Sequence, residues 1–338
     1  MRPWATNAQA REWTSSRRNR TPIEFHRSIP GYAATPLVRL DAGVWIKDES
    51  NRFGLPAFKV LGASWAINCA ISAQLEVAPA QTFSALVERS RGISTTLVTA
   101  TDGNHGRAVA WMARQLGLAA RIYVAAGLPR STVQAIRGEG ADVVETGRVY
   151  DDAVRLAAAS GDLLVQDTAW PGYEDVPAWI VDGYSTLFAE IDDQLDVDLV
   201  VVPTGVGSLL QAALEHYRAD GRRPAVLAVE PVTAACVTAS LGAGQPVSVD
   251  TSAPTIMAGL NCGTVSSLAW PAIRSGLDAA IGVTDEEVRT AMSQMHAAGV
   301  QAGPCGAAAL AGFHAAPLDV STNVVLVSTE GLAANSAL

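Results

Sequence analysis

Of the 24 basic residues in the chain only two, Lys47 and Lys59, are lysines, and all the others are arginines. A guanidinium stays charged and forms no imine, whereas a lysine amine can lose its proton and attack a carbonyl. A lysine that persists in an arginine-rich chain is therefore a candidate nucleophile. Lys47 lies in Ile46-Lys47-Asp48-Glu49, a pattern that reads equally well as a solvated charged run. Lys59 lies between Ala57-Phe58 and Val60-Leu61, apolar company that lowers an amine pKa. Four further segments carry groups able to bind anions or move protons. They are Thr101-Asp102-Gly103-Asn104-His105-Gly106, Asp167-Thr168, Thr204-Gly205-Val206-Gly207-Ser208-Leu209 and Ser328-Thr329-Glu330-Gly331.

Each of these segments follows a strand-length apolar run. Strands are predicted over Thr96 to Ala100, Arg121 to Ala125, Asp142 to Glu145, Leu163 to Gln166, Leu199 to Pro203, Ala225 to Glu230 and Val324 to Ser328. Helix-period segments alternate with them, the clearest from His105 to Leu116 with Gly117 as its stop, and another from Ser208 to Tyr217. That alternation predicts an α/β fold built on parallel sheets. In open α/β sheets ligands gather beyond the carboxyl ends of the strands, which is where the polar segments fall. The loops at Thr101 to Gly106 and Thr204 to Leu209 each open a helix, so both present backbone N–H groups to an anion. Taken alone, Asp102 or Asn104 is also an ordinary helix cap, and the second loop is also an ordinary packing turn.

Composition narrows the partners. With 338 residues the chain is long enough for two domains, and its formal net charge of −9 offers no electrostatic footprint for nucleic acid or for an anionic membrane surface. The apolar stretch from Asp198 to Leu214 contains Pro203, Gly205 and Gly207, which argues against a membrane span. Cys69, Cys236, Cys262 and Cys305 show neither metal-ligand spacing nor a disulfide framework, and a reducing cytoplasm is expected. The arginine-rich start (Arg2, Arg11, Arg17, Arg18, Arg20) lacks a following apolar core and does not read as a secretory signal.

An amine in apolar surroundings, a phosphate seat and several carboxylates suit pyridoxal phosphate better than a dinucleotide, which needs no amine. A nicotinamide-binding oxidoreductase stays open as an alternative. Gly205 and Gly207 match two positions of GxGxxG, Leu210 stands at the third, and Glu230 ends the next strand where a ribose-binding acid would sit.

Seven segments together resemble the fold-type II pyridoxal-phosphate enzymes, and within them the diaminopropionate ammonia-lyase family. They are Tyr32-Ala-Ala-Thr-Pro-Leu37, Ile46-Lys-Asp-Glu-Ser-Asn-Arg-Phe-Gly54, Ala57-Phe-Lys-Val-Leu-Gly62, Thr101-Asp-Gly-Asn-His-Gly-Arg107, Val165-Gln-Asp-Thr-Ala-Trp170, Met257-Ala-Gly-Leu260 and Ser328-Thr-Glu-Gly331. The resemblance implies two interleaved parallel-sheet domains with flanking helices, of the tryptophan synthase β type. The large domain would take residues 1–55 and 166–338, and the small domain, residues 56–165, would carry the lysine and the Asp-Gly-Asn-His loop.

In that family pattern Lys59 would hold pyridoxal phosphate as an imine, with Phe58 packing near its ring and Asn104 meeting the ring hydroxyl. Gly205, Val206, Gly207, Ser208 and Leu209 would cradle the phosphate, and Ser328 would face the pyridine nitrogen. The segment Thr101, Asp102, Gly103, Asn104 and His105 would receive the substrate carboxylate. Asp102 and Asp167 would serve as bases for opposite enantiomers. The implied reaction is β-elimination of ammonia from 2,3-diaminopropionate to give pyruvate and ammonia, in a cytoplasmic homodimer without metal. A serine/threonine-type dehydratase or a β-replacement enzyme is the alternative within the same chemistry. Gly303-Pro304-Cys305-Gly306-Ala307 departs from the pattern, lacking a glutamate and carrying a thiol in place of serine, and seven residues follow Gly331 where the pattern continues.

Overall fold

The computed structural model describes residues 2–16, 21–219, 223–317 and 323–334. Arg17, Arg18 and Arg20 lie outside the described residues. Eleven strands are present among those described: β1 (Trp4–Thr6), β2 (Leu37–Asp41), β3 (Val44–Asp48), β4 (Thr96–Thr101), β5 (Ala119–Val124), β6 (Asp142–Glu145), β7 (Leu163–Leu164), β8 (Leu199–Pro203), β9 (Ala225–Pro231), β10 (Ala279–Val283) and β11 (Val324–Ser328). No described helix is long and apolar enough to cross a membrane.

The chain divides into two compact units. The first holds the described residues within 1–19, 34–51 and 187–333, and the second those within 20–33, 52–186 and 334–338. Asp167 clusters with the unit that carries Lys59, across the expected boundary at 165/166.

The first unit is built on a seven-stranded sheet in the order β1-β10-β9-β8-β11-β3-β2. Its five central strands are parallel, and the two edges are antiparallel additions, β1 on β10 and β2 on β3. β8 to β11 are dominated by Val, Leu, Ile and Ala because they are buried on both faces. The helix Pro304–Ala315 packs on β8, β9, β10 and β11 with small residues, and a Cβ on its Gly312 would lie 2.3 Å from Val229. Such close approach excludes water from the sheet face, which is the main source of stability here.

The second unit is built on a four-stranded parallel sheet, β6-β5-β4-β7. The helix Lys59–Gln74 buries nearly all of its circumference, and the helix Asn104–Leu116 packs on it and on β4. Gly117 ends the latter helix in the left-handed conformation (φ +69°) with its N–H on the Arg114 carbonyl. The strand expected over Leu163 to Gln166 stops at Leu164. Beyond it the Gln166 side chain, not its backbone, accepts the Ala100 N–H at 2.9 Å, so the ladder continues through an amide group.

In both sheets the chain order reverses once. β4, β5 and β6 run outward to one side and β7 returns to the other flank of β4, while β8, β9 and β10 run outward and β11 returns beside β8. At such a reversal the helices on the two strands depart to opposite faces and leave a crevice at the strand ends. The Thr101 loop and Asp167 follow β4 and β7, and the Gly205 loop and Ser328 follow or end β8 and β11.

Lys47 is no solvated charge. It is fully buried on β3, and its ammonium donates to Glu190 Oε2 and to the Thr35 carbonyl, both at 2.7 Å. The Thr35 hydroxyl donates to Glu49 Oε1 at 2.6 Å, so one lysine serves a network with two buried carboxylates. Lys47→Met should therefore lower stability by about 3–5 kcal/mol, the cost of leaving buried charge without its partner. Urea unfolding followed by circular dichroism measures it.

Candidate active site

The segment after β4 is shaped by its own first residue. The Thr101 hydroxyl oxygen accepts the N–H groups of Gly103 (2.9 Å) and Gly106 (3.0 Å) and thereby turns the strand into the helix Asn104–Leu116. Gly103 sits at φ +149°, a conformation that L side chains rarely adopt, and a Cβ at Gly106 would lie 2.3 Å from Thr101 Cγ2. The turn therefore requires glycine at both places. Asp102 and Asn104 are left on the outer side of the loop, Asp102 exposed and Asn104 half-buried.

Lys59 begins its helix and donates to Asp167 Oδ2 at 2.9 Å. Burial works hardest on this ammonium and pulls its pKa down. Asp167, with Tyr184 and Asp102 adding to it, overrides burial and holds the amine well above the usual lysine value. For Asp167 burial likewise opposes charge, but Lys59 and His105 outweigh it and hold the carboxyl far below the usual aspartate range. Asp102 behaves oppositely. Although water reaches it, the protein around it desolvates its carboxyl and raises the pKa; Lys59 opposes this and the like charge of Asp167 adds to it. Two neighbouring carboxyls driven apart in this way are suited to different proton-transfer roles.

His105 Nε2 lies 2.7 Å from the Val165 carbonyl, which can only accept, so this nitrogen carries the proton. Burial lowers the imidazole pKa despite the attraction of Asp167. Nδ1 is then a bare acceptor, without a hydrogen-bond partner among the described residues and 3.9 Å from Asp167 Oδ2. Phe58 packs its ring on Tyr184 (centroids 4.7 Å apart), with the Lys59 amine 5.8 Å from its own centroid. Burial pushes the Tyr184 phenol up to about 12, with Lys59 opposing, and raises Tyr150 as well. Both hydroxyls stay protonated at neutral pH.

The second group of expected residues lies in the first unit. Gly207 caps the helix Ser208–Tyr217 at φ +102°, and Gly205 is hemmed in so closely that a Cβ would meet Cys262 Sγ at 3.0 Å and the Gly259 carbonyl at 3.1 Å. A glycine turn feeding the first N–H groups of a helix is the geometry that binds a phosphate. Ser328 ends the neighbouring strand β11; it is fully buried and its hydroxyl has no hydrogen-bond partner among the described residues. A buried orphan hydroxyl costs free energy until a ligand atom pairs with it. Within the first unit, an anion turn beside an orphan hydroxyl fits the phosphate and the ring nitrogen of pyridoxal phosphate; within the second, Lys59 is an amine of the kind its aldehyde requires.

Glu230 does not fit a ribose site. Its carboxylate is fully buried and accepts from the Val237 and Thr238 N–H groups and from the Thr238 hydroxyl, at 2.7–2.8 Å. Its oxygens are committed to the helix that follows β9. Cys305 is a buried thiol in the first turn of its helix, and the four cysteines are thiols rather than disulfides. Gln166, Tyr150 and Tyr184, none of them among the expected site residues, lie against Asp167 and Lys59. Gln166 was legible as the neighbour of Asp167; the tyrosines arrive on separate helices with no spacing to signal them.

A family model described as pyridoxal-phosphate dependent enzyme matches residues 29–330. A diaminopropionate ammonia-lyase of Salmonella typhimurium is 40% identical over 289 residues, which span 78% of this chain and 72% of that protein. The crystal structure of the Escherichia coli diaminopropionate ammonia lyase in complex with D-serine superposes with a TM-score of 0.88 at 33% identity, covering 98% of this chain and 94% of that one. The same E. coli protein in complex with an aminoacrylate-PLP azomethine reaction intermediate gives 0.86 at 31% identity over the same shares.

The two lysines allow a direct check of the pair electrostatics. In protein labelled with 15N at lysine Nζ, the Lys59 signal should titrate above 10.5, and in Asp167→Asn at a distinctly lower pH, because burial then meets only the weaker opposition of Tyr184 and Asp102.

Proposed function

From the premise that this chain belongs to the family of pyridoxal-phosphate dependent enzymes, we propose that Lys59, Asp102 and Asp167 are the working groups of its reaction. That reaction is the elimination of ammonia from 2,3-diaminopropionate, giving pyruvate and ammonia. The observation that carries the assignment of the site is the Lys59–Asp167 contact at 2.9 Å, an amine and a base held together at strand and helix ends.

When bound, pyridoxal phosphate supplies an aldehyde that condenses with amines and a ring that withdraws electrons from the substrate Cα. Lys59 would anchor it, with Phe58 near its ring and Asn104 on the ring hydroxyl. The N–H groups of Gly205, Val206, Gly207, Ser208 and Leu209 would hold its phosphate, and the Ser328 hydroxyl would meet its pyridine nitrogen. A neutral hydroxyl does not keep that nitrogen protonated as a carboxylate would. A hydroxyl rather than a carboxylate at Ser328 would therefore favour prompt loss of the β-substituent over storage of negative charge at Cα.

The loop from Thr101 to His105, with its N–H groups at a helix start, would receive the substrate carboxylate. Asp167 and Asp102 would take the Cα proton from opposite faces, and so from opposite enantiomers. The β-amine departs as ammonia, and the released aminoacrylate hydrolyses to pyruvate and a second ammonia. Four cysteines held as thiols support a reducing cytoplasm as its setting. A homodimer is the assembly that the family likeness supports.

Pyruvate formation with diaminopropionate, serine, threonine and O-acetylserine, using Lys59→Ala as the blank, tests the assignment. Turnover of diaminopropionate above the others is expected, with at least a thousandfold loss in Lys59→Ala; preference for serine without diaminopropionate turnover would refute it. The two aspartates also predict different acid limbs. As pH falls the carboxyl with the raised pKa, Asp102, protonates first and stops acting as a base, while Asp167 stays ionised. The enantiomer whose turnover is lost in Asp102→Asn should therefore be the one whose kcat/KM falls at the higher pH.

A further inference from the structure

Gln166 is fully buried just beyond β7, and both polar atoms of its side chain are committed. Its side-chain oxygen accepts the Ala100 N–H at 2.9 Å and the Thr99 hydroxyl at 3.0 Å. A backbone N–H can only donate, so the amide has one allowed orientation. Its NH2 group consequently points the other way and spends its two hydrogens on Asp167 Oδ1 at 3.2 Å and on the Tyr150 oxygen at 3.0 Å. The backbone of the same segment is pinned as well. Val165 N–H donates to the Val98 carbonyl, Gln166 N–H to the Tyr173 oxygen, and the Tyr173 hydroxyl to the Leu164 carbonyl.

Asp167 thus has two different donors on its two oxygens. Lys59 serves Oδ2, but only while its amine keeps a proton and is not engaged elsewhere. An amide does not titrate, so the donor on Oδ1 is permanent. We propose that Gln166 is a positioning residue that keeps the Asp167 carboxylate ionised and aimed whatever the state of the Lys59 amine. The other titratable groups facing Asp167 are His105 and Asp102 from the loop and helix after β4, Tyr150, Tyr173 and Tyr184. At neutral pH the imidazole is unprotonated and the phenols keep their protons, so none of these supplies a fixed donor charge in place of Lys59.

The inference rests on the role given to Asp167 above, and its test is arranged to separate the two. The full chain, cofactor-free and labelled with 13C at the aspartate carboxyl, is titrated by NMR in a Lys59→Met background, with the Asp167 signal identified by its loss in Asp167→Asn. Adding Gln166→Leu should raise the Asp167 midpoint by about one pH unit or more, the worth of one hydrogen bond to a charged group. A midpoint unchanged within a few tenths of a unit overturns the proposal. Should that variant fail to fold by circular dichroism, Gln166→Glu keeps the acceptor that Ala100 and Thr99 need and replaces the donor by an oxygen. It should raise the midpoint further, and an unmoved or lowered midpoint is again fatal.

In the holoenzyme with Lys59 intact, the same substitutions should move the acid limb of kcat/KM upward for the enantiomer that depends on Asp167. A uniform fall in kcat with both limbs in place would mark a merely structural role and overturn the proposal. A raised NMR midpoint in a protein that does not turn over diaminopropionate would count against the assigned reaction and leave the Gln166–Asp167 coupling supported.

Discussion

An ammonium and a carboxylate that have each lost most of their water stand 2.9 Å apart at Lys59 and Asp167, and the surrounding unit is arranged to make that pair tolerable. Desolvating either group alone is costly, and the cost is recovered only by close mutual approach with the remaining donors supplied. The approach depends on the helix Lys59–Gln74 being drawn deep into the unit. Gly62 and Gly183 permit this: a Cβ on Gly183 would fall 2.4 Å from the Leu61 carbonyl, and one on Gly62 would fall 2.5 Å from the Tyr184 ring. The same tyrosine packs on Phe58 and stands beside the amine.

Chemistry is distributed according to what each strand end can offer. The reversal at β4 and β7 brings titratable side chains together, because one strand ends in a loop rich in polar groups and the other ends directly in an aspartate. The reversal at β8 and β11 brings backbone N–H groups and a neutral hydroxyl, a setting for an anion and an uncharged ring atom. Carboxylates near the second group are withdrawn from such service. Glu230 caps a helix, and Glu190 and Glu49 belong to the network of Lys47 and Thr35. A buried acid whose carboxylate accepts hydrogen bonds from its own chain in this way is structural however suggestive its position in the sequence.

Much of the framework was legible beforehand because parallel strands covered on both faces must be apolar and must end in turn residues. β6, β8 and β11 and the helix Ser208–Tyr217 follow the predicted bounds. β10, Ala-Ala-Ile-Gly-Val, escaped because small residues and a glycine carry no strand preference; its pairing with β9 and β1 makes it a strand. The short edge strands β1 and β2 escaped for a related reason, since edge pairing is a property of the neighbour. β7 was expected to be longer, and its last hydrogen bond passed to a side chain.

By itself the sequence determined which residue types were available for chemistry: one amine in apolar company, two glycine turns, two aspartates and a serine at strand ends, in an order that marks the family. Those features are local, written in spacing and composition. Tertiary structure alone decided their electrical character. Asp102 and Asp167 have the same side chain and nearly the same intrinsic acidity, yet one is pushed up by lost water and the other pulled down by an ammonium that lies far away in the chain. Lys47 and Lys59 were both candidates, and only the fold assigned Glu190 to the first and Asp167 to the second. Desolvation and Coulomb attraction depend on distances in space, and no spacing along the chain encodes them.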